Sequence, residues 1–441
     1  MTETDTIFAL SSGQGRAGVA VIRVSGQDAA TVVSGLSGRA PGAPRTLELR
    51  TLRSPDGAAL DRAMIAWFPA PHSFTGEDVA EFHVHGGRAV VAAVLDALAQ
   101  IAGCRAADAG EFTRRAFDNG KLDLTQVEGL ADLIDAETEG QRRQALRQME
   151  GALGALYESW RTRLTRALAY LEADIDFPDE DLPGDLPESV RGDLVALRDE
   201  MRAHLDDAGL GERTRGGFQA VIVGAPNVGK SSILNRLAQR DAAIVAATAG
   251  TTRDVVEVQL DVAGLPVTLA DTAGLRAAGD DVEREGIRRA ERRAGSADVK
   301  IAVFDAATWP ARDTATAALV DDATIVVVNK SDLVPGVVDG GGAVVVSAAT
   351  GEGIGALVAA LRARVVAAAG RHSEAPPLTR LRHRRAVEAA VAALDRTLVG
   401  VTAELRAEDL RVAVRALGRI TGRVDVEDLL DVIFRDFCIG K

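Results

Sequence analysis

Gly224-Ala-Pro-Asn-Val-Gly-Lys-Ser231 places a glycine, four intervening residues and then Gly-Lys-Ser directly after an apolar β-rich run, Phe218 to Val223. This is the P-loop pattern in the context it requires, with a strand before it and a helix after it. Its glycines allow main-chain N–H groups to wrap an anion, and the helix start adds positive potential. The residues that would face a nucleotide's phosphates are Asn227, Val228, Gly229, Lys230, Ser231 and Ser232. Lys230 would reach the β- and γ-phosphates, and the Ser231 hydroxyl would ligate Mg²⁺.

Four further pieces follow in order: Thr251-Thr-Arg-Asp254, Asp271-Thr-Ala-Gly274, Asn329-Lys-Ser-Asp332 and Ser347-Ala348. They resemble the two switch segments and the base-recognition motifs of small GTP-binding proteins. The resemblance implies that Thr252 closes over the γ-phosphate and joins Ser231 at Mg²⁺. Asp271 would hold that ion through water, with Thr272, Ala273 and Gly274 lining the γ-phosphate. Asn329, Lys330, Asp332, Ser347 and Ala348 would receive the base. The Asp332 carboxylate can accept two N–H bonds from a guanine edge, a pattern adenine does not offer, so GTP is expected rather than ATP. Leu275 stands where Ras-like proteins carry a water-orienting glutamine. Leucine cannot orient water, so another group is needed for rapid hydrolysis.

These residues need a scaffold, and the chain's periodicities predict one. From residue 217 to about 370, β-runs alternate with helical patterns, the rhythm of a mostly parallel sheet. Leu146, Leu153, Leu156, Trp160, Leu164, Leu168 and Leu171 recur at helical spacing before this segment, and Val387, Val391, Leu394 and Leu398 do so after it. Residues 1 to about 120 read as mixed α/β, with strands over Val19–Val24, Met64–Phe68 and Val79–Val84 and a helix over Ala89–Ile101. The expected fold is therefore multi-domain, α/β and all-α. It comprises an N-terminal α/β domain (1–120), a helical bundle in two parts (121–216 and 371–441) and an inserted Ras-like P-loop GTPase domain (217–370).

The chain's formal net charge of -13 argues against general coating of nucleic acid or acidic membrane. Its two cysteines, Cys104 and Cys438, form no disulfide framework. No apolar run approaches the ~20 residues of a membrane span, and the acidic start does not read as a signal peptide. A cytoplasmic protein with no membrane association is expected. His83 and His85 have no metal-ligand spacing around them and read as structural.

The loop Ser73-Phe-Thr-Gly-Glu-Asp78, His85-Gly-Gly87, Gly120-Lys-Leu-Asp-Leu124 and the terminal Cys438-Ile-Gly-Lys441, together with the domain order, resemble the MnmE (TrmE) family of tRNA-modifying GTPases along essentially the whole chain. The resemblance implies a homodimer that joins a flavin-dependent subunit of the MnmG/GidA type in a heterotetramer. That assembly modifies C5 of the wobble uridine in certain tRNAs. It also implies a folate cofactor, formyl- or methylene-tetrahydrofolate, held by Arg23, Glu81, Lys121 and Lys441. A K⁺ ion would be held by Asn227, by the carbonyls of Ala246 and Thr248, and by Thr251. Glu283 would be the catalytic carboxylate that replaces the missing glutamine, and Cys438 would be a candidate for the modification chemistry. Two other classes compete. A ribosome-assembly GTPase would need an RNA-binding appendage, and a membrane-assembling GTPase would need a lipid-facing segment; neither is evident.

Overall fold

The computed structural model describes residues 5–176, 187–207, 209–239, 243–244, 257–271, 293–295, 297–334, 336, 342–369, 376–400, 402–424, 430, 433–434, 437 and 440. They form two compact units, Met1–Ala131 with Gly418–Lys441, and Asp132–Leu417.

The first unit is built on a six-stranded sheet. Its strands are β1 (Thr6–Leu10), β2 (Ala17–Ser25), β3 (Leu47–Arg53), β4 (Ala59–Phe68), β5 (Val79–Gly86) and β6 (Cys104–Ala106). Their spatial order is β3-β4-β5-β2-β1-β6. The pairing is antiparallel throughout except for β1 with β6. Alternation along β2 and β5 sends Ala20, Ile22, Val24, Phe82 and Val84 to one face. There they form a single core with Val32, Val33 and Leu36 of α1 (Ala29–Ser37) and Val94, Ala97 and Leu98 of α2 (Arg88–Ala99). Arg23 and Glu81, which are register partners, lie on the opposite face. Near β1 that face packs Ile7 and Ala9 against Phe112 of α3 (Glu111–Asp118) and against Phe74. Toward β3 it carries the exposed Leu47, Leu49 and Val19. The unit is completed by the start of α4 (Leu124–Ile134), whose Leu124 and Val127 pack with Leu430, Phe434 and Phe437.

The second unit begins at the end of α4 and continues through α5 (Glu139–Met149), α6 (Ala152–Asp176), α7 (Glu188–Leu205) and α8 (Leu210–Gly216). Thr138 and Gln141 form a reciprocal cap that starts α5. The α/β segment then follows: β7 (Phe218–Gly224), α9 (Lys230–Ala238), β8 (Ala243–Ile244), β9 (Glu257–Val262), β10 (Leu265–Asp271), β11 (Val299–Asp305), α10 (Thr314–Ala317), β12 (Thr324–Asn329), β13 (Val344–Val345) and α11 (Ile354–Ala369). Helices α12 (Leu381–Val399) and α13 (Ala403–Thr421) return to the helical region. The periodicity predicts that helices before and after the insert pack together, and they do. Arg202 of α7 pairs with Asp395 of α12 at 2.7 Å, and Arg384 of α12 with Asp207 at 2.7 Å.

The insert's sheet runs β13-β12-β11-β7-β10-β9-β8. Its first five strands are mutually parallel and β9 runs antiparallel to both its neighbours, β10 and β8, so the sheet is mostly parallel. The chain leaves β7 toward β10 on one side and β11 on the other. The C-terminal end of β7 is therefore a topological switch point, where open α/β sheets bind ligands. The β9–β10 turn also meets the helical region: the Gly140 N–H, in the first turn of α5, donates to the Gly264 carbonyl at 2.8 Å. A Cβ on Gly140 would lie 2.5 Å from that oxygen, so only glycine fits the contact.

Candidate functional site

The P-loop turns at the switch point. Gly224 ends β7 so close to β11 that a Cβ would lie 2.6 Å from the Val303 carbonyl oxygen. Asn227 (φ +63°) and Gly229 (φ +98°) adopt left-handed backbone, which curls the loop before α9 begins at Lys230. Val228 is buried, and Ser231 and Ser232 are exposed on the first turn of the helix. The Lys230 ammonium donates to the carbonyls of Gly224 at 2.8 Å and Ala225 at 2.9 Å, which ties the helix start to the loop it follows. The P-loop residues predicted to face the phosphates are thus gathered at one helix N-terminus.

The base motifs converge on the same edge. Asn329, buried at the end of β12, donates from Nδ2 to the Val228 carbonyl at 2.8 Å and accepts the Ala348 N–H at Oδ1 at 3.0 Å. One amide therefore joins the P-loop to the Ser347–Ala348 loop. A Cβ on Gly229 would collide with this side chain. The Ser347 hydroxyl, fully buried, donates to Asp332 Oδ1 at 2.6 Å and accepts the Thr350 N–H at 3.1 Å. The Asp332 carboxylate is thereby oriented in advance, as a reader of two N–H groups on one base edge must be.

Two residues of this site have no counterpart in the sequence motifs. Arg236 of α9 donates from Nε to the Ala348 carbonyl at 2.8 Å and from Nη2 to that of Ala349, clamping the base loop to the helix. Asp305, the last residue of β11, accepts from Lys330 Nζ at 2.7 Å. The hydrogen bond from Lys330 holds its carboxyl below the usual carboxylate range, against the opposing effect of burial. Asp305 was discoverable from its place at a strand's C-terminal end beside Asn329. Arg236 carried no signal beyond its position on α9. Asp271 ends β10 in register with Ile222 of β7. Ala246, Thr248, Thr251, Thr252, Thr272, Ala273, Gly274, Leu275 and Glu283 lie outside the described residues, as do Cys438 and Lys441.

A second cluster lies in the first unit. Arg23 is paired with Glu81 at 2.9 Å, and its guanidinium lies 5.2 Å from the Phe74 ring centre and 5.8 Å from that of Phe112. Both contacts lie within cation–π range. His83 Nε2 is 3.3 Å from Glu81, and His85 Nδ1 is 2.7 Å from Asp61. The loop that carries Phe74 is pinned to the sheet. Ser25 Oγ is 2.7 Å from Thr75 Oγ1 and donates to Glu77 at 2.7 Å, and Asn119 donates to the Thr75 carbonyl at 2.8 Å. Lys121 Nζ reaches the same loop, donating to the Pro71 carbonyl at 2.8 Å. Gly440 accepts at its carbonyl from the Ser11 hydroxyl at 2.8 Å, just past the end of β1. Arg23 lies on the neighbouring strand, opposite Ala9. Gly440, near the far end of the sequence, is thus brought to the strand pair that carries Arg23.

Comparison with known proteins adds the family. Residues 6–121 match the model described as "GTP-binding protein TrmE N-terminus", and residues 124–438 match "MnmE helical domain". A "tRNA modification GTPase MnmE" of Parvibaculum lavamentivorans is 60% identical over 442 residues, covering 99% of this chain and all of that protein. That of Paramagnetospirillum magneticum is 56% identical over the same shares. Among solved structures, Aquifex aeolicus Era bound to GDP.AlF4- is 25% identical over 40% of this chain and 66% of that one, with a TM-score of 0.28. With full-length identity above half and family models over both regions, the chain belongs to the MnmE family of tRNA modification GTPases.

Proposed function

We propose that this chain is a K⁺-dependent GTPase that works with a flavin-dependent subunit of the MnmG/GidA type. Together they add a carboxymethylaminomethyl or aminomethyl group to C5 of the wobble uridine of certain tRNAs, with a tetrahydrofolate derivative as one-carbon donor. The observation that carries this beyond GTP hydrolysis is the second cluster. Arg23, paired with Glu81, lies against Phe74 of the loop at residues 71–77, Lys121 bonds Pro71 of the same loop, and Gly440 bonds Ser11 just past β1, the strand next to Arg23's own. A guanidinium within reach of two aromatic rings, and a lysine bonded to the same loop, suit a flat, anionic ligand. A folate derivative has both characters.

The division of labour follows the segments. Residues 1–120 hold the folate and dimerise, 121–216 and 371–441 form the helical region, and 217–370 turn over GTP. Exposed Val19, Leu47 and Leu49 on the uncovered part of the first sheet support a homodimer through that face. Ser231 and Thr252 would hold Mg²⁺, which neutralises charge developing on the transferred phosphoryl group. Asn227, Ala246, Thr248 and Thr251 would hold K⁺. The left-handed backbone at Asn227 turns the loop there, as its proposed place beside the phosphates requires. Glu283 would position water, Lys441 would complete the folate site, and Cys438 would be a candidate for the modification chemistry. Among the described residues no helix is long and apolar enough to cross a membrane, in keeping with work in the cytoplasm.

The test is Arg23→Glu. We expect folate affinity, measured calorimetrically with formyl-tetrahydrofolate, to fall by about a hundredfold, the scale of removing one buried charged partner. GTPase turnover should stay within about twofold of the parent, and a thermal unfolding profile matching the parent's reports that the first unit is folded. Unchanged folate affinity would place the pocket elsewhere.

A further inference from the structure

Asp305 belongs to none of the phosphate or base motifs, yet it stands beside the turn that reads the base. It pairs in register with Asn329 across β11 and β12. The next residue, Lys330, has φ +67°, the left-handed region that side chains with a Cβ rarely adopt. Such backbone persists where its surroundings over-determine it. Two contacts do so here. The Ser331 N–H donates to the Val346 carbonyl at 3.2 Å, and Lys330 Nζ donates to Asp305 Oδ2 at 2.7 Å. The Asp305 carboxylate is itself fixed, because Oδ1 accepts the Ala307 N–H at 2.9 Å. One oxygen is tied to its own turn while the other anchors the lysine.

The short 3-10 turn Ser331–Leu333 follows directly and carries Asp332, which is exposed and held at Oδ1 by the Ser347 hydroxyl at 2.6 Å. The Lys330 and Asp305 side chains are 32% and 23% exposed. A pair so accessible adds little to stability. Its value lies in orientation, since a lysine stem is flexible and loses that freedom when anchored.

We propose that Asp305 is a positioning residue for guanine recognition: through its ion pair with Lys330 it holds the turn that aims the Asp332 carboxylate at the base. This rests on guanine being the base that the site reads. The acceptor it aims distinguishes guanine from hypoxanthine, which keeps the ring N–H but lacks the exocyclic amino group.

The experiment titrates the full chain with GDP and IDP, comparing the parent, Asp305→Ala, Asp305→Asn, Lys330→Ala and the double variant Asp305→Ala with Lys330→Ala. The asparagine variant can still accept the Ala307 N–H, so it separates the ion pair from the turn's own bond. We expect both Asp305 variants to weaken GDP by about tenfold and IDP by no more than about twofold, as loss of a base-edge hydrogen bond requires. On the Lys330→Ala background, Asp305→Ala should change GDP affinity by less than about twofold, since coupled residues are not additive. Equal losses for GDP and IDP, or a full tenfold loss without Lys330, would overturn the assignment and leave the guanine reading intact. A parent chain that binds IDP as tightly as GDP would overturn both.

Discussion

Replacing Glu283 with alanine should lower kcat for GTP hydrolysis by about a hundredfold, the scale of losing a positioned acid–base group. GTP affinity should change by less than about twofold, because a water-orienting contact matters in the transition state rather than the ground state. The motive is Leu275, which follows Asp271-Thr-Ala-Gly274 and cannot orient water. A carboxylate acting on the attacking water from a short distance along the chain can supply that role. Phosphate release under saturating GTP and a nucleotide titration measure the two quantities separately. A variant with normal kcat would reduce Glu283 to an ordinary surface acid. The same assay in K⁺ and in Na⁺ at equal ionic strength tests the monovalent site. K⁺ should stimulate turnover in the parent and fail to do so in Asn227→Ala, because a fixed cation stabilises charge that grows during phosphoryl transfer.

Deleting Cys438 to Lys441 should separate the two chemistries. GTP hydrolysis and dimerisation should persist within about twofold, since no step of phosphoryl transfer uses a thiol or that lysine. Wobble-uridine modification should disappear. The Ser11–Gly440 hydrogen bond and the close packing of Gly440 on Leu10 place Gly440 at the end of β1, in the unit that carries Arg23 and Glu81. Phosphate release from the purified truncation is paired with mass spectrometry of tRNA nucleosides from cells carrying it as their sole copy. Loss of both activities would make the tail a folding element. Retention of both would leave it without chemistry.

Much of the candidate nucleotide site was legible in the sequence because its motifs are local. The P-loop, Asn329-Lys-Ser-Asp332 and Ser347-Ala348 each sit within a few residues at a strand's end, so order and spacing announce them. The supporting contacts were not legible, because they join residues far apart. Arg236 reaches the base loop across 112 positions, and Asp305 reaches Lys330 across 25. The central strand Phe218–Gly224, with its continuous apolar run, was expected nearly to its observed bounds. Strand β3 was missed for a physical reason. Its Leu47 and Leu49 point outward and stay exposed, while Glu48 and Arg50 pair at 2.7 Å on the side facing α1, where Arg50 also donates to Ser37. The apolar residues of that strand do not mark its buried face. Strands β1 and β6 were missed because each is short, five and three residues, and acquires its meaning from pairing across about a hundred residues. Arg23 and Lys121 looked like ordinary surface charges and Glu81 like a polar strand position, and only the family resemblance singled them out.

GTP turnover here serves tRNA modification. The most direct test of this is nucleoside analysis, by mass spectrometry, of total tRNA from cells lacking this chain, with the parent gene restored as the control. The account predicts that carboxymethylaminomethyl and aminomethyl uridines fall to background and return on restoration. Unchanged levels of these nucleosides in the deleted cells would contradict it.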